Sequence, residues 1–180
     1  MFRCVFIGLL LICNSSLAQK GRVLAKTNIL FPFSLSLECQ LAEKGSLQIG
    51  GGFLPESVIL KGLTVKNFVI EYKYYYRATE EEPARVYFGP YLGVTNVFYE
   101  KPSGARSFLD SHSFGVNTGY LFPFENNMIV EVFLGVGYKF YQSHSGSLYS
   151  FGRFEKNAEI RAGIVIGFKL FGPSVVPEKL

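Results

Sequence analysis

An alternation of apolar with small or polar residues, two residues per repeat, runs through segment after segment from residue 35 to residue 170. It is clearest near the C-terminus. Met128, Val130, Val132, Leu134, Val136, Tyr138 and Phe140 alternate with Glu131, Phe133, Gly135, Gly137 and Lys139. Ile160, Ala162, Ile164, Ile166, Phe168 and Leu170 alternate with Arg161, Gly163, Val165, Gly167 and Lys169. A period of two puts successive side chains on opposite faces of an extended strand, whereas a helix needs apolar residues three and four apart. Beyond Gln19 no stretch holds helical spacing over three turns. The same alternation marks strands at residues 35–41, 47–53, 68–77, 85–94 and 114–120, and a less regular one at 22–30 completes eight. The fold class is all-β, with no internal domain boundary.

The connectors sort by length. Turns at residues 42–45 and 123–127 are short, and an acidic one at 78–84 is slightly longer, whereas 55–65, 100–107 and 143–157 are longer and rich in Gly, Ser and charge. Short and long alternate along the chain, as in a barrel with tight turns at one rim and loops at the other. The turn at 31–33 departs from this, being tight yet on the loop side. Eight strands place both ends of the barrel on the short-turn side.

Alternation alone does not say which face meets which solvent, because a soluble barrel also has one apolar and one polar face. Residue size separates the cases. The polar face carries mid-strand glycine pairs, Gly89/Gly93, Gly115/Gly119 and Gly163/Gly167, and the interior of an eight-stranded barrel is only just wide enough for side chains. The apolar face carries long side chains with no Lys, Arg, Asp or Glu at mid-strand. Lys or Arg facing lipid at mid-depth costs about 2–4 kcal/mol. Tyr74, Tyr76, Phe98, Tyr99, Tyr120, Phe122, Tyr138 and Phe140 lie near strand ends, where aromatic girdles form, although the chain has no Trp. A closed barrel satisfies its backbone without water, and no apolar run beyond residue 18 reaches the roughly 20 residues of a helical span. The expectation is a closed antiparallel eight-stranded transmembrane β-barrel over residues 19–171, monomeric, with outer-membrane lipid around it. The alternative is a soluble exported barrel with the apolar face inward, binding an apolar ligand.

Residues 1–18 read as a secretory signal, with Arg3, an apolar run from residue 4 to 13, and small Ser16 and Ala18 before Gln19. Its removal takes Cys4 and Cys13 and leaves Cys39 alone, so the exported domain is expected to stand without an internal disulfide. Residues 172–180, with Pro173 and Pro177, form a short tail. With 18 basic against 14 acidic residues spread along the chain, no basic stripe suits nucleic acid.

Several motifs resemble small outer-membrane β-barrel proteins of Gram-negative bacteria, in particular an uncharacterised group. Lys26-Thr27-Asn28-Ile29-Leu30 is followed by an alternating strand ending near Glu38. Gly119-Tyr120-Leu121-Phe122 stands before a turn, and Gly135-Val136-Gly137-Tyr138 follows. The last strand is similar to the signal read by the barrel-insertion machinery, with apolar residues at every second place back from Leu170 or an aromatic end at Phe171. That machinery is the partner the resemblance implies, with the outer membrane as location and no established activity. The signal usually ends a protein, whereas here a tail follows it.

Lys26, Glu38, Glu71, Lys73, Glu131, Lys139, Arg161 and Lys169 are assigned to the lumen. Buried charges pair or face water, so these are expected to form a network that fills the barrel, with Glu131 near Lys169 on the adjoining strand. A narrow solute passage is the alternative. If charge alone closed it, Glu131→Gln with Glu71→Gln would open conductance. Ser111-His112-Ser113 and Ser143-His144-Ser145, with Asp110 nearby, hold the residue types of a hydrolase. They lack the spacing of lipid A deacylases, in which Ser follows His by two, and no catalytic residue is assigned. No metal-ligand spacing or phosphate loop is present, so no cofactor is expected. Glu80, Glu81 and Glu82 read as a solvated turn.

Overall fold

The computed structural model describes residues 22–28, 33–54, 63–76, 86–100, 106–124, 127–143 and 157–172. They form β1 (Val23–Asn28), β2 (Ser34–Ala42), β3 (Gly45–Leu54), β4 (Leu63–Tyr76), β5 (Val86–Glu100), β6 (Arg106–Pro123), β7 (Met128–Ser143) and β8 (Ala158–Phe171). Each strand pairs antiparallel with the next, and β1 pairs with β8, closing the barrel. This is the eight-stranded all-β architecture that the alternation predicts. β4 to β8 are each 14 to 18 residues long, more than the 9–11 that a tilted strand needs to cross a bilayer.

The tight turns lie at one rim. Ala42 pairs with Gly45 across Glu43 and Lys44, and Asn127 turns the chain before β7 with φ 62°, a left-handed conformation that Asn tolerates. At the other rim the strands run further than the sequence suggests. Residues 63–65, 100, 106–107 and 143, expected as loop, are strand, because pairing continues through Leu63↔Tyr99, Glu100↔Arg106 and Leu109↔Ser143. Asn157, also expected as loop, is described just before β8, and the rest of the expected loops, the acidic turn, the leader at 1–18 and the tail beyond Gly172 lie outside the described residues.

The faces separate as lipid-facing and lumen-facing positions should. Leu92, Phe114, Val116, Leu134, Val136 and Ile160 point outward and are each about half exposed or more. Tyr72, Tyr74, Tyr76, Phe122 and Phe124 ring the short-turn end, and Phe33, Phe53, Tyr99 and Phe140 the opposite one. Inside, aromatic rings lie over glycines of neighbouring strands. A side chain at Gly119 would meet the ring of Tyr87, one at Gly115 or Gly137 would meet Tyr91, and one at Gly163 would meet Phe133. The glycine face is therefore the inner one. At the short-turn end Leu24, Tyr75, Tyr87, Leu121 and Ile129 pack into an apolar layer across the lumen. Cys39 packs against Val23. It is disulfide-bonded in this full-length chain, whereas a lone Cys39 is expected of a chain without residues 1–18.

One interruption of the ladder has a local cause. Pairing of β4 with β5 runs to Glu71↔Tyr91 and resumes at Tyr74↔Phe88, skipping the stretch of Pro90, which has no N–H to donate. There the backbones crowd, and a Cβ on Gly89 would strike the Tyr72 carbonyl and the Lys73 backbone. Gly89→Ala is expected to lower stability by about 1–3 kcal/mol through forced backbone displacement. Gly51→Ala, whose Cβ would come no nearer than 3.3 Å to its closest neighbour, is expected to cost less than half of that. Urea midpoints of the two variants refolded into lipid vesicles check the contrast.

Candidate functional site

Strand parity delivers four charged side chains to one level of the lumen: Lys26 from β1, Glu38 from β2, Lys73 from β4 and Glu131 from β7. All are at most 2% exposed. They form a closed ring of alternating sign. Lys26 Nζ lies 2.5 Å from Glu38 Oε2 and also pairs with Glu131 Oε2, while Lys73 Nζ lies 2.6 Å from Glu131 Oε1 and 3.3 Å from Glu38 Oε2. Hydroxyls occupy the remaining acceptor positions. Ser46 Oγ donates to Glu38 Oε1 at 2.8 Å, Tyr75 donates to the same oxygen, and Tyr87 donates to Glu131 Oε1 at 2.5 Å. The Lys73 ammonium also lies 4.3 Å from the centre of the Tyr87 ring. Removing ions from water is tolerable when each gains opposite charge and several hydrogen bonds, as here.

The other four expected lumen charges are placed differently. Lys139 pairs with Glu159 at 3.0 Å, and Tyr91 donates to the same carboxylate at 2.9 Å. Arg161 stacks its guanidinium 4.2 Å from the centre of the Tyr91 ring. Glu71 is 4% exposed and faces Gln48 across β3 and β4. The expected approach of Glu131 to Lys169 is corrected: register sets Glu131 opposite Val165, and its carboxylate reaches across the lumen to Lys26 and Lys73. Lys169 lies at the short-turn rim opposite Leu24.

The sequence reading missed Ser46, Tyr75, Tyr87, Tyr91 and Glu159 as members of these clusters. Parity carried the signal, since Tyr75 shares the face of Glu71 and Lys73, and Glu159 that of Arg161. Their hydrogen bonds depend on strands far apart in sequence. The Ser111-His112-Ser113 run is split by the same parity. Ser111 and Ser113 are buried on the lumen side, whereas His112 is exposed on the outer face, so these serines cannot use it as a base. Asp110 accepts a hydrogen bond from Asn96 at 2.6 Å. His144 and its serine neighbour Ser145 lie outside the described residues. Among the described residues no group of three or more His, Cys, Asp or Glu could hold a metal ion.

Closure, an apolar exterior and a lumen crossed by charged side chains together define a small barrel of the transmembrane type. The chain belongs to the family described as "Protein of unknown function (DUF3575)", which matches residues 4–163. Among solved structures it is similar to the N-terminal β-barrel domain of OprF from Pseudomonas aeruginosa, at 15% identity over 83% of this chain and 96% of that one, TM-score 0.49. It is also similar to a major outer membrane protein from Thermus thermophilus, at 14% identity over 83% of this chain and 99% of that one, TM-score 0.45. No curated protein sequence matches it significantly.

Proposed function

We propose that the protein is a non-conducting outer-membrane barrel with a structural, adhesion or envelope-integrity role rather than an enzyme, with its longer connections at the outer surface. The observation that carries this is the pairing of an apolar outer belt, free of charge at mid-strand, with a lumen crossed by charge and packed tyrosine. The belt supports lipid as the surrounding solvent, since exposed apolar surface of this extent is not left to water. It also opposes the soluble alternative, in which the Phe, Leu and Ile face would line an apolar pocket.

Against a solute passage stand two successive layers, the charged ring and the apolar layer of Leu24, Tyr75, Tyr87, Leu121 and Ile129. Planar-bilayer recordings of the refolded protein are expected to show no unitary conductance. Glu71→Gln with Glu131→Gln is expected to stay silent too, because the apolar layer remains; steady channels from the unaltered protein would favour the passage instead. Location and closure are tested together by expressing the full chain, isolating outer membranes and comparing unboiled with boiled samples on a denaturing gel. A boiling-dependent shift in the outer-membrane fraction is the expected result. Recovery in the soluble periplasmic fraction with no shift would reject the reading.

A further inference from the structure

On the long-loop side of the charged ring the lumen holds a cavity of about 310 Å³, at the small end of the range for ligand pockets. Glu131 of the ring borders it, and its walls include Gln48, Asn67, Glu71, Lys139, Glu159 and Arg161. These walls do not satisfy themselves. Gln48 Oε1, Asn67 Oδ1, Glu71 Oε1 and Arg161 Nη1 are buried without a hydrogen-bond partner, although buried polar atoms are otherwise almost always paired.

The charges of the lumen pair off unevenly. The ring balances two lysines with two glutamates, and Lys139 balances Glu159. That leaves Glu71 and Arg161, of opposite sign, both lining the cavity and each with an unpartnered buried atom. Glu71 is on β4 and Arg161 on β8, four strands apart in a closed ring of eight and so on opposite walls. Glu71 sits beside Gln48 in register, while Arg161 is held over Tyr91. One wall therefore offers a carboxylate and an amide, and the other a guanidinium, which forks to a carboxylate.

We propose that this cavity binds a small zwitterion, with its ammonium at Glu71 and Gln48 and its carboxylate at Arg161. An apolar molecule would strand the polar lining, and a lone anion or cation would leave one wall uncompensated. The site goes beyond the envelope role and rests on the lumen alone, so its failure would leave that role standing.

Calorimetric titration of the full chain, refolded in detergent micelles, tests it with four probes: L-glutamine, acetate, ethylammonium and glucose. Saturable binding of L-glutamine is expected. Acetate and ethylammonium should each bind at least about tenfold more weakly, since each forgoes a charge-assisted bond, and glucose more weakly still. Glu71→Gln and Arg161→Gln should each weaken L-glutamine binding about tenfold while keeping the boiling-dependent gel shift. No saturable heat from L-glutamine would mean that the cavity holds water only and would overturn the proposal. So would glucose binding as tightly as L-glutamine, or a folded variant binding L-glutamine like the unaltered protein. The probe series needs only the unaltered protein and decides the matter where a variant fails to fold.

Discussion

Glu131→Gln is expected to destabilise the barrel by about 3–5 kcal/mol, the loss that follows when one member of a buried ion network is removed and its partners stay charged. Glu131 holds both lysines of the ring, with Lys73 and Tyr87 on one carboxylate oxygen and Lys26 on the other. Glutamine offers one acceptor and turns an NH₂ group toward donors, leaving two lysines to share Glu38. Urea titration in lipid vesicles, read by tyrosine fluorescence in a chain without Trp, measures the loss. Lys73→Met in the same background supplies a double-mutant cycle. The double variant keeps the neutral pair Lys26–Glu38 and is expected to be less destabilised than the two single losses summed. A single-variant change within about 0.5 kcal/mol would mean that the ring is solvated and contributes like a surface pair.

Leu134→Arg is the second large effect. Leu134 sits near the middle of β7 on the outer face, 54% exposed, between Thr118 and Ala162 in register. In water an arginine here would be a surface substitution worth within about 0.5 kcal/mol. At the midplane of a bilayer it costs about 2–4 kcal/mol. The larger loss is expected in vesicles, with the penalty shrinking when arginine replaces Tyr76 or Phe122 near the short-turn rim, where the head can reach the interface. A flat profile along the strands would remove the bilayer from the account of the outer face.

The ring shows how far parity reasoning reaches. Lys26, Glu38, Lys73 and Glu131 were assignable to the lumen because each alternates with lipid-type side chains, and a charge has nowhere else to go on such a strand. Which of them meet was not assignable. The neighbour-strand guess of Glu131 with Lys169 fails because long side chains in a narrow barrel bond across the lumen, so partners are set by axial level around the circle. Level depends on strand stagger and on register shifts such as that between Val23 and Leu24 where β1 meets β8, which a one-dimensional pattern does not encode. The rims were misjudged for a related reason, since pairing between β5 and β6 continues through Glu100↔Arg106 although composition there reads as loop.

The amino-acid sequence by itself determined the strand count, the antiparallel order and the two faces, because each follows from period, turn length and side-chain size along a single strand. Tertiary structure alone decided the register in which β1 meets β8, that tyrosines cover lumen glycines, and that four charges join while Glu71 and Arg161 stay apart. Those outcomes depend on three-dimensional distances between residues far apart in sequence, as Lys26 and Glu131 are at 105 positions, and such distances exist only once the barrel has closed.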